Sequence, residues 1–188
     1  SAFPPLRNDL YWKESTKTTS ILNYYPSADL ERRLCTNLAR ADPFTIVQFP
    51  NFKAHFIMHS GLFTKEVNLE LLLLLAKIAP VGIDAAAMIR TVMPDKSMIY
   101  QTWVENEQVL PLLSFFKMDA EEAAFITGIN TETHLGRLDA GIRIQSYGVR
   151  EVMLTVNEEV IMFTAHQVYS VPFRFCSLKG RTGRGDTC

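Results

Sequence analysis

The chain has few cysteines, little excess charge and no long apolar run. Its three cysteines, an odd number without the close spacing of metal ligands, predict reduced thiols and not a disulfide framework. A formal net charge of −1 argues against a nucleic-acid-binding surface or a polybasic membrane patch. The strongest apolar run, LELLLLLAKIA at 69–79, is too short to span a bilayer, and the N-terminus lacks a signal-peptide pattern. These features predict a cytoplasmic protein with small-molecule partners.

Apolar residues are plentiful, and they occur in short runs that alternate with helical stretches. Hydrophobic residues make up 47% of the chain and charged residues 21%, which predicts one folded domain over residues 1–188. The predicted order is strand 55–61, helix 65–79, strand 80–85, strand 115–118, helices 119–128 and 132–146, and strands 151–156, 159–165 and 167–173. This alternation favours an α/β fold with a parallel sheet covered by helices.

Within segment 16–40, the second half is ambiguous between a helix and the second strand of a hairpin. Leu34 and Leu38 are four residues apart, as on one face of a helix. Pro26, Ser27 and Asp29, between two short apolar runs, are equally typical of a β-hairpin turn.

Polar or glycine-containing clusters follow the predicted strands, and ligands of open α/β sheets bind at such carboxyl ends. The last cluster is the loop LKGRTGRGDTC at 178–188. Its glycines and the potential helix start at Asp186 and Thr187 favour an anion site, because exposed backbone amides point at the ligand. The others are His59-Ser60-Gly61, Asp84, and Lys117 to Asp119 with Glu122.

In this order the clusters resemble the ribokinase-like family of sugar and nucleoside kinases, also called PfkB carbohydrate kinases. GRTGRGDT at 180–187 is similar to the family's closing Asp-Thr-Thr-Gly-Ala-Gly-Asp-Thr run. KMDAEEAAFITG at 117–128 is similar to its Asn-x-x-Glu-Ala followed by Leu-Thr-Gly, and VGIDAAAMIR at 81–90 to a strand that ends on aspartate with a later arginine. Asp119 replaces the family asparagine, Arg184 replaces alanine, and glycines are missing after Thr155.

The resemblance implies a three-layer α/β/α sandwich with a mainly parallel central sheet and a small β-hairpin lid at 16–40. It also implies an ATP-dependent kinase that transfers the γ-phosphoryl group to a hydroxyl of a small sugar, polyol or nucleoside. A homodimer through the lid is a further implication. The family's N-terminal sugar-binding strands and the helices after its catalytic loop are not found in this sequence, so a partial chain is expected.

The resemblance assigns roles to particular residues. Asp186 would be the catalytic base, Thr182, Gly183, Arg184 and Gly185 the anion hole, Thr155 and Asn157 the nucleotide site, Asp84 and Arg90 the substrate site, and Asp119 and Glu122 the Mg²⁺ site. Alternatives remain open at four positions and for the chain as a whole. Asp119 and Glu122 could form only a helix capping box, Asp84 could satisfy backbone donors, Arg184 could point to solvent, and the chain could be a catalytically silent nucleotide-binding or interaction module.

Overall fold

The computed structural model describes residues 13–26, 34–48, 52–156 and 159–173. The strands are β1 (Ser20–Tyr24), β2 (Leu34–Ala39), β3 (Ile57–His59), β4 (Val81–Asp84), β5 (Arg90–Val92), β6 (Met98–Tyr100), β7 (Leu113–Asp119), β8 (Glu151–Thr155), β9 (Glu159–Phe163) and β10 (Val168–Pro172). The helices are α1 (Leu69–Ile78), α2 (Ala86–Ile89), α3 (Asn106–Val109), α4 (Ala120–Thr127) and α5 (His134–Ser146), with 3-10 turns at Ile46–Gln48 and Leu110–Leu112.

A six-stranded sheet forms the centre of the fold, in the order β10-β9-β8-β7-β4-β3. The strands β3, β4, β7 and β8 are parallel to one another, β9 pairs antiparallel with β8, and β10 pairs antiparallel with β9. The α/β fold with a mainly parallel sheet is therefore confirmed. Parallel neighbours bring their carboxyl ends to one edge, which is where the sequence places its polar clusters.

The described helices pack against one face of this sheet. The run from β3 through β4 and β7 to β8 always moves in the same direction across the sheet, so right-handed crossovers place every connecting helix on the same side. The buried core accordingly contains Ile83, Phe116, Leu154 and Ile161 from that face, whereas Phe115 on the opposite face is only half-buried. The described helices thus supply one of the two helical layers of the expected sandwich.

Segment 16–40 forms a β-hairpin, and its described residues, 16–26 and 34–40, include no helix. Strands β1 and β2 pair antiparallel, and the apolar residues that suggested a helix lie on one face of β2 because strand side chains alternate. A bridge between Thr36 and Ser97 and a hydrogen bond from Asn37 N to Lys96 O of 2.9 Å join β2 to the second hairpin, β5–β6. We call the β1–β2 hairpin the lid.

Local signals determine where the long helices begin and how closely they pack. Helix α1 begins at Leu69 and not at residue 65, because the Asn68 side chain caps it by accepting from Leu71 N at 2.9 Å. Helix α5 passes so close to β9 that a Cβ on Gly141 would lie 2.1 Å from Cζ of the buried Phe163 ring. Among the residues that the structure describes, no helix has the length and apolar character needed to cross a membrane.

Candidate active site

The carboxyl ends of four neighbouring strands form one rim of the central sheet. The strand register pairs His59 with Ile83, Asp84 with Lys117, and Asp119 with Thr155. Three clusters that are far apart in sequence therefore meet at this edge, as the sequence predicts. We call this edge, from His59 across Asp84 and Asp119 to Thr155, the rim.

Asp84 and Lys117 form an ion pair at the middle of the rim. Lys117 Nζ lies 2.7 Å from Asp84 Oδ2. The other carboxylate oxygen, Oδ1, accepts a hydrogen bond from Ala86 N at 3.1 Å, so the structural role left open for Asp84 is present. The same pair offers a carboxylate and an ammonium group side by side, and both can hydrogen-bond to hydroxyls of a ligand.

Arg90 and Glu122 form a second, more deeply buried ion pair. Arg90 Nη2 lies 3.1 Å from Glu122 Oε1, and the two side chains are only 14% and 4% exposed. The β5–β6 hairpin pairs Tyr100 with Arg90, so the phenol lies on the same face of the hairpin as the guanidinium. Breaking a buried pair by removing one partner usually costs about 3–5 kcal/mol, because the remaining charge is uncompensated.

Asp119 and Glu122 are also tied together at the start of α4. Asp119 Oδ1 accepts from Glu122 N at 2.8 Å, and Glu122 Oε2 accepts from Asp119 N at 2.9 Å. This is the capping box that the sequence left as an alternative to the metal site. Gly128, with φ of 72°, ends the helix as predicted.

The clustering of acids raises proton affinities within the rim. Burial and the nearby carboxylates of Asp119 and Asp84 raise the pKa of Glu122 above its usual range, although Arg90 opposes this shift. Burial, together with the same acids at 119 and 122, also raises the pKa of Tyr100 above its usual range. Burial alone would lower the pKa of Arg90, but the charge of Glu122 and the contact with Tyr100 outweigh it and leave the pKa raised.

His59, at the edge of the rim, has an opposite shift. Burial lowers the pKa of this imidazole, although the Asp84 charge opposes the effect, so the ring is neutral near pH 7. Its Nε2 atom is buried without a hydrogen-bond partner among the described residues. The neighbouring Gly61 has no room for a side chain, because a Cβ there would lie 2.7 Å from His59 Cε1 and 2.6 Å from Glu66 Oε2.

Two solved structures share this architecture closely. A pyrophosphate-dependent kinase in the ribokinase family, complexed with a pyrophosphate analog and myo-inositol, is 30% identical with a TM-score of 0.84 over 100% of this chain and 65% of its own. A sulfate complex of a pyrophosphate-dependent kinase in the same family is 32% identical with a TM-score of 0.80, covering 93% of this chain and 60% of its own. The chain belongs to the ribokinase family. It spans less than two thirds of the length of these two relatives.

Ribokinase-family membership agrees with a more distant likeness in fold. The ribokinase of Arabidopsis thaliana, complexed with ribose and ATP, is 19% identical with a TM-score of 0.52 over 71% of this chain and 40% of its own. Comparison with protein-family models gives no match, and neither does comparison with curated proteins.

The Mg²⁺ that the ribokinase-like resemblance implies does not fit direct coordination by the described carboxylates. Both oxygens of Glu122 already accept hydrogen bonds, and the Arg90 cation lies against one of them. Within the described ranges of the chain, no group of three His, Cys, Asp or Glu side chains could hold a metal ion. The metal role of Asp119 and Glu122 therefore stays a prediction.

Thr155 is the one remaining predicted site residue that the structure describes. Thr155 ends β8 and is buried, where its hydroxyl donates to Met118 O at 3.4 Å. Its nucleotide-binding role stays a prediction. The others lie outside the described residues, namely Asn157, Thr182, Gly183, Arg184, Gly185 and Asp186.

Tyr100 is the site residue that sequence reasoning missed. The signal was present as Pro94-Asp95 between the apolar segments IRTVM and MIY, which is typical of a turn between short strands. Recognising that hairpin would have placed Tyr100 opposite Arg90.

Proposed function

We propose that this ribokinase-family protein transfers a phosphoryl group from pyrophosphate to a hydroxyl of a small polyol or sugar. The observation that carries the proposal is the 30–32% identity, over 93–100% of the chain, to pyrophosphate-dependent kinases of the family. One of those structures contains myo-inositol. The rim supports a polyhydroxylated acceptor, because its carboxylates accept and its cations donate hydrogen bonds to hydroxyl groups.

The proposed roles at the site follow from charge and position. Asp84 and Arg90 would orient the acceptor at the rim, and Asp186 would accept the proton of the attacking hydroxyl. The amides of Gly183, Arg184 and Gly185, with Thr182, would stabilise the charge on the transferring phosphoryl group. A divalent cation would arrive with the donor, whose phosphate oxygens are the hard ligands that it prefers.

Pyrophosphate is favoured over ATP by two observations. The relatives at 30% identity or more are pyrophosphate-dependent, whereas the ATP complex is only 19% identical. The sequence also lacks the family glycines after Thr155, with Asn157 in that stretch, where the resemblance places contacts with the nucleotide. A donor without an adenine does not need those contacts.

The first test is phosphoryl transfer with two donors and a panel of acceptors. With myo-inositol, other polyols and sugars as acceptors, we expect kcat/KM with pyrophosphate to exceed that with ATP at least about tenfold. The reaction is followed by phosphorus NMR, with the same mixture without protein as the blank. Transfer with ATP but not with pyrophosphate would show that the donor is the nucleotide. Ligand-induced melting shifts without any transfer would instead favour the silent binding module.

We also propose that the lid joins two copies of the chain, as the family resemblance implies. One face of the lid is apolar and solvent-exposed, with each of its large side chains more than half exposed: Leu22, Tyr24, Leu34 and Leu38. These residues alternate along the two paired strands, so they share one surface. Covering that surface would remove a contiguous apolar patch from water.

The lid proposal predicts a change in oligomeric state on a single substitution. Leu38→Asp should shift the protein from dimer to monomer in analytical ultracentrifugation, because the new charge would be buried between the lids. Leu135→Asp is the matched control, since Leu135 is as exposed but lies on α5. A wild-type monomer at micromolar concentration, or equal effects of the two variants, would contradict the lid as the interface.

A further inference from the structure

Every hydrogen-bonding oxygen of Glu122 is already engaged within the protein. Oε1 faces Arg90 Nη2 at 3.1 Å and Oε2 accepts from Asp119 N at 2.9 Å. The carboxylate is 4% exposed. With so little of its surface exposed, the carboxylate has little room for a metal ion unless the packing around the Arg90 pair and the capping box opens.

Arg90, in contrast, is held from several sides and still faces the rim. Its carbonyl accepts from Thr64 N at 2.8 Å, which fixes the backbone of β5. Its guanidinium lies 3.1 Å from Glu122, Tyr100 is its cross-strand neighbour, and the side chain is 14% exposed. A guanidinium carries several N–H donors in a fixed plane, so these two neighbours orient the group without using all of its donors.

A cation held in this way needs no reorganisation when a ligand arrives. A guanidinium fixed by a carboxylate is preorganised to donate to phosphoryl or hydroxyl oxygens. The Arg90 guanidinium thereby places a positive charge beside Asp119, the residue that stands where the resembled family has asparagine.

We propose that Glu122 is a positioning residue that holds the Arg90 guanidinium at the rim, and that Arg90 contacts the reactants directly. In this arrangement Glu122 acts through Arg90 and not through a metal ion. The inference rests on the proposed phosphoryl transfer and reassigns the role of one residue within it.

A double-mutant cycle tests this arrangement. The proteins are wild type, Glu122→Gln, Arg90→Met and the double variant, assayed with pyrophosphate and the best acceptor of the panel. Each single variant should raise KM about tenfold, and both should do so for the same reactant. The KM of the double variant should be no higher than that of the more impaired single variant. The Mg²⁺ concentration for half-maximal rate should stay within about twofold of wild type for Glu122→Gln.

Arg90→Lys and Lys117→Met serve as matched controls. Lysine keeps the charge of Arg90 but not the planar guanidinium, so it should restore only part of the KM. Lys117→Met breaks the other rim ion pair, between Lys117 and Asp84, and shows what the loss of a rim ion pair costs while Arg90 and Glu122 both remain in place.

Two results would overturn the positioning role. One is an increase in the Mg²⁺ requirement that follows Glu122→Gln and not Arg90→Met. The other is a double variant whose increase in KM equals the product of the increases in the two single variants. Urea unfolding of the same four proteins measures the coupling of the pair without any turnover, and independent effects there would also overturn it. A wild-type protein without transfer activity would refute the proposed function. The unfolding measurements would then still test the coupling between Arg90 and Glu122.

Discussion

Asp186→Asn is expected to lower kcat by at least about 100-fold, because the amide cannot accept the proton of the attacking hydroxyl. Asparagine has nearly the same shape as aspartate, so the loop at 182–186 should keep its affinity for the donor. We therefore expect kcat and kcat/KM to fall together, which is the pattern of an interaction made in the transition state. Steady-state kinetics with pyrophosphate and the best acceptor measure both parameters.

Asp139→Asn is the control for the loss of a carboxylate as such, because Asp139 is exposed on α5. It should leave turnover within about twofold of wild type. Near-normal turnover of Asp186→Asn would remove Asp186 as the base. The proton would then have to be accepted by a carboxylate of the rim.

Gly141→Ala is expected to destabilise the protein by about 3 kcal/mol, the upper part of the usual cost of overpacking a core. Helix propensity alone predicts the opposite sign, a gain of about 1 kcal/mol for alanine over glycine. The new Cβ would lie 2.1–2.6 Å from three atoms of the Phe163 ring. That ring is completely buried, so the ring must repack against its neighbours, or α5 or β9 must move. Urea denaturation followed by circular dichroism gives the free energy of unfolding.

The sign of the change makes this result decisive. Asp139→Ala, an exposed position of the same helix, should be neutral or slightly stabilising, because propensity acts there without a clash. A stabilised Gly141→Ala protein would show that α5 lies farther from β9 than the structure has it.

The order of the main elements could be predicted from sequence because each has a strong local signal. Asp119 and Gly128 bound α4 as cap residues, and the alternation of apolar runs with helical stretches indicates the parallel sheet. The hairpin at 16–40 could not be separated from a helix, since Leu34 and Leu38 satisfy both periods. Pairing with β1 decides it, and that is a tertiary contact.

The position of the rim could be predicted from the sequence, but the contacts between its residues could not. Strand ends in sequence indicate that Asp84, Asp119 and Glu122 meet at one edge, because parallel strands align their carboxyl ends. The partner of each carboxylate depends on strand register and on the path of the β5–β6 hairpin. For that reason the Lys117 and Arg90 ion pairs could not be predicted from spacing alone.

The order of strands in the central sheet follows the order of synthesis. From β3 through β4, β7, β8 and β9 to β10, each strand lies beside the one that joined the sheet before it. A chain leaving the ribosome can therefore add each new strand to an edge that already exists. Among the six described strands, none has to be inserted later between two that are already paired, so these strands can join the sheet in order without rearrangement.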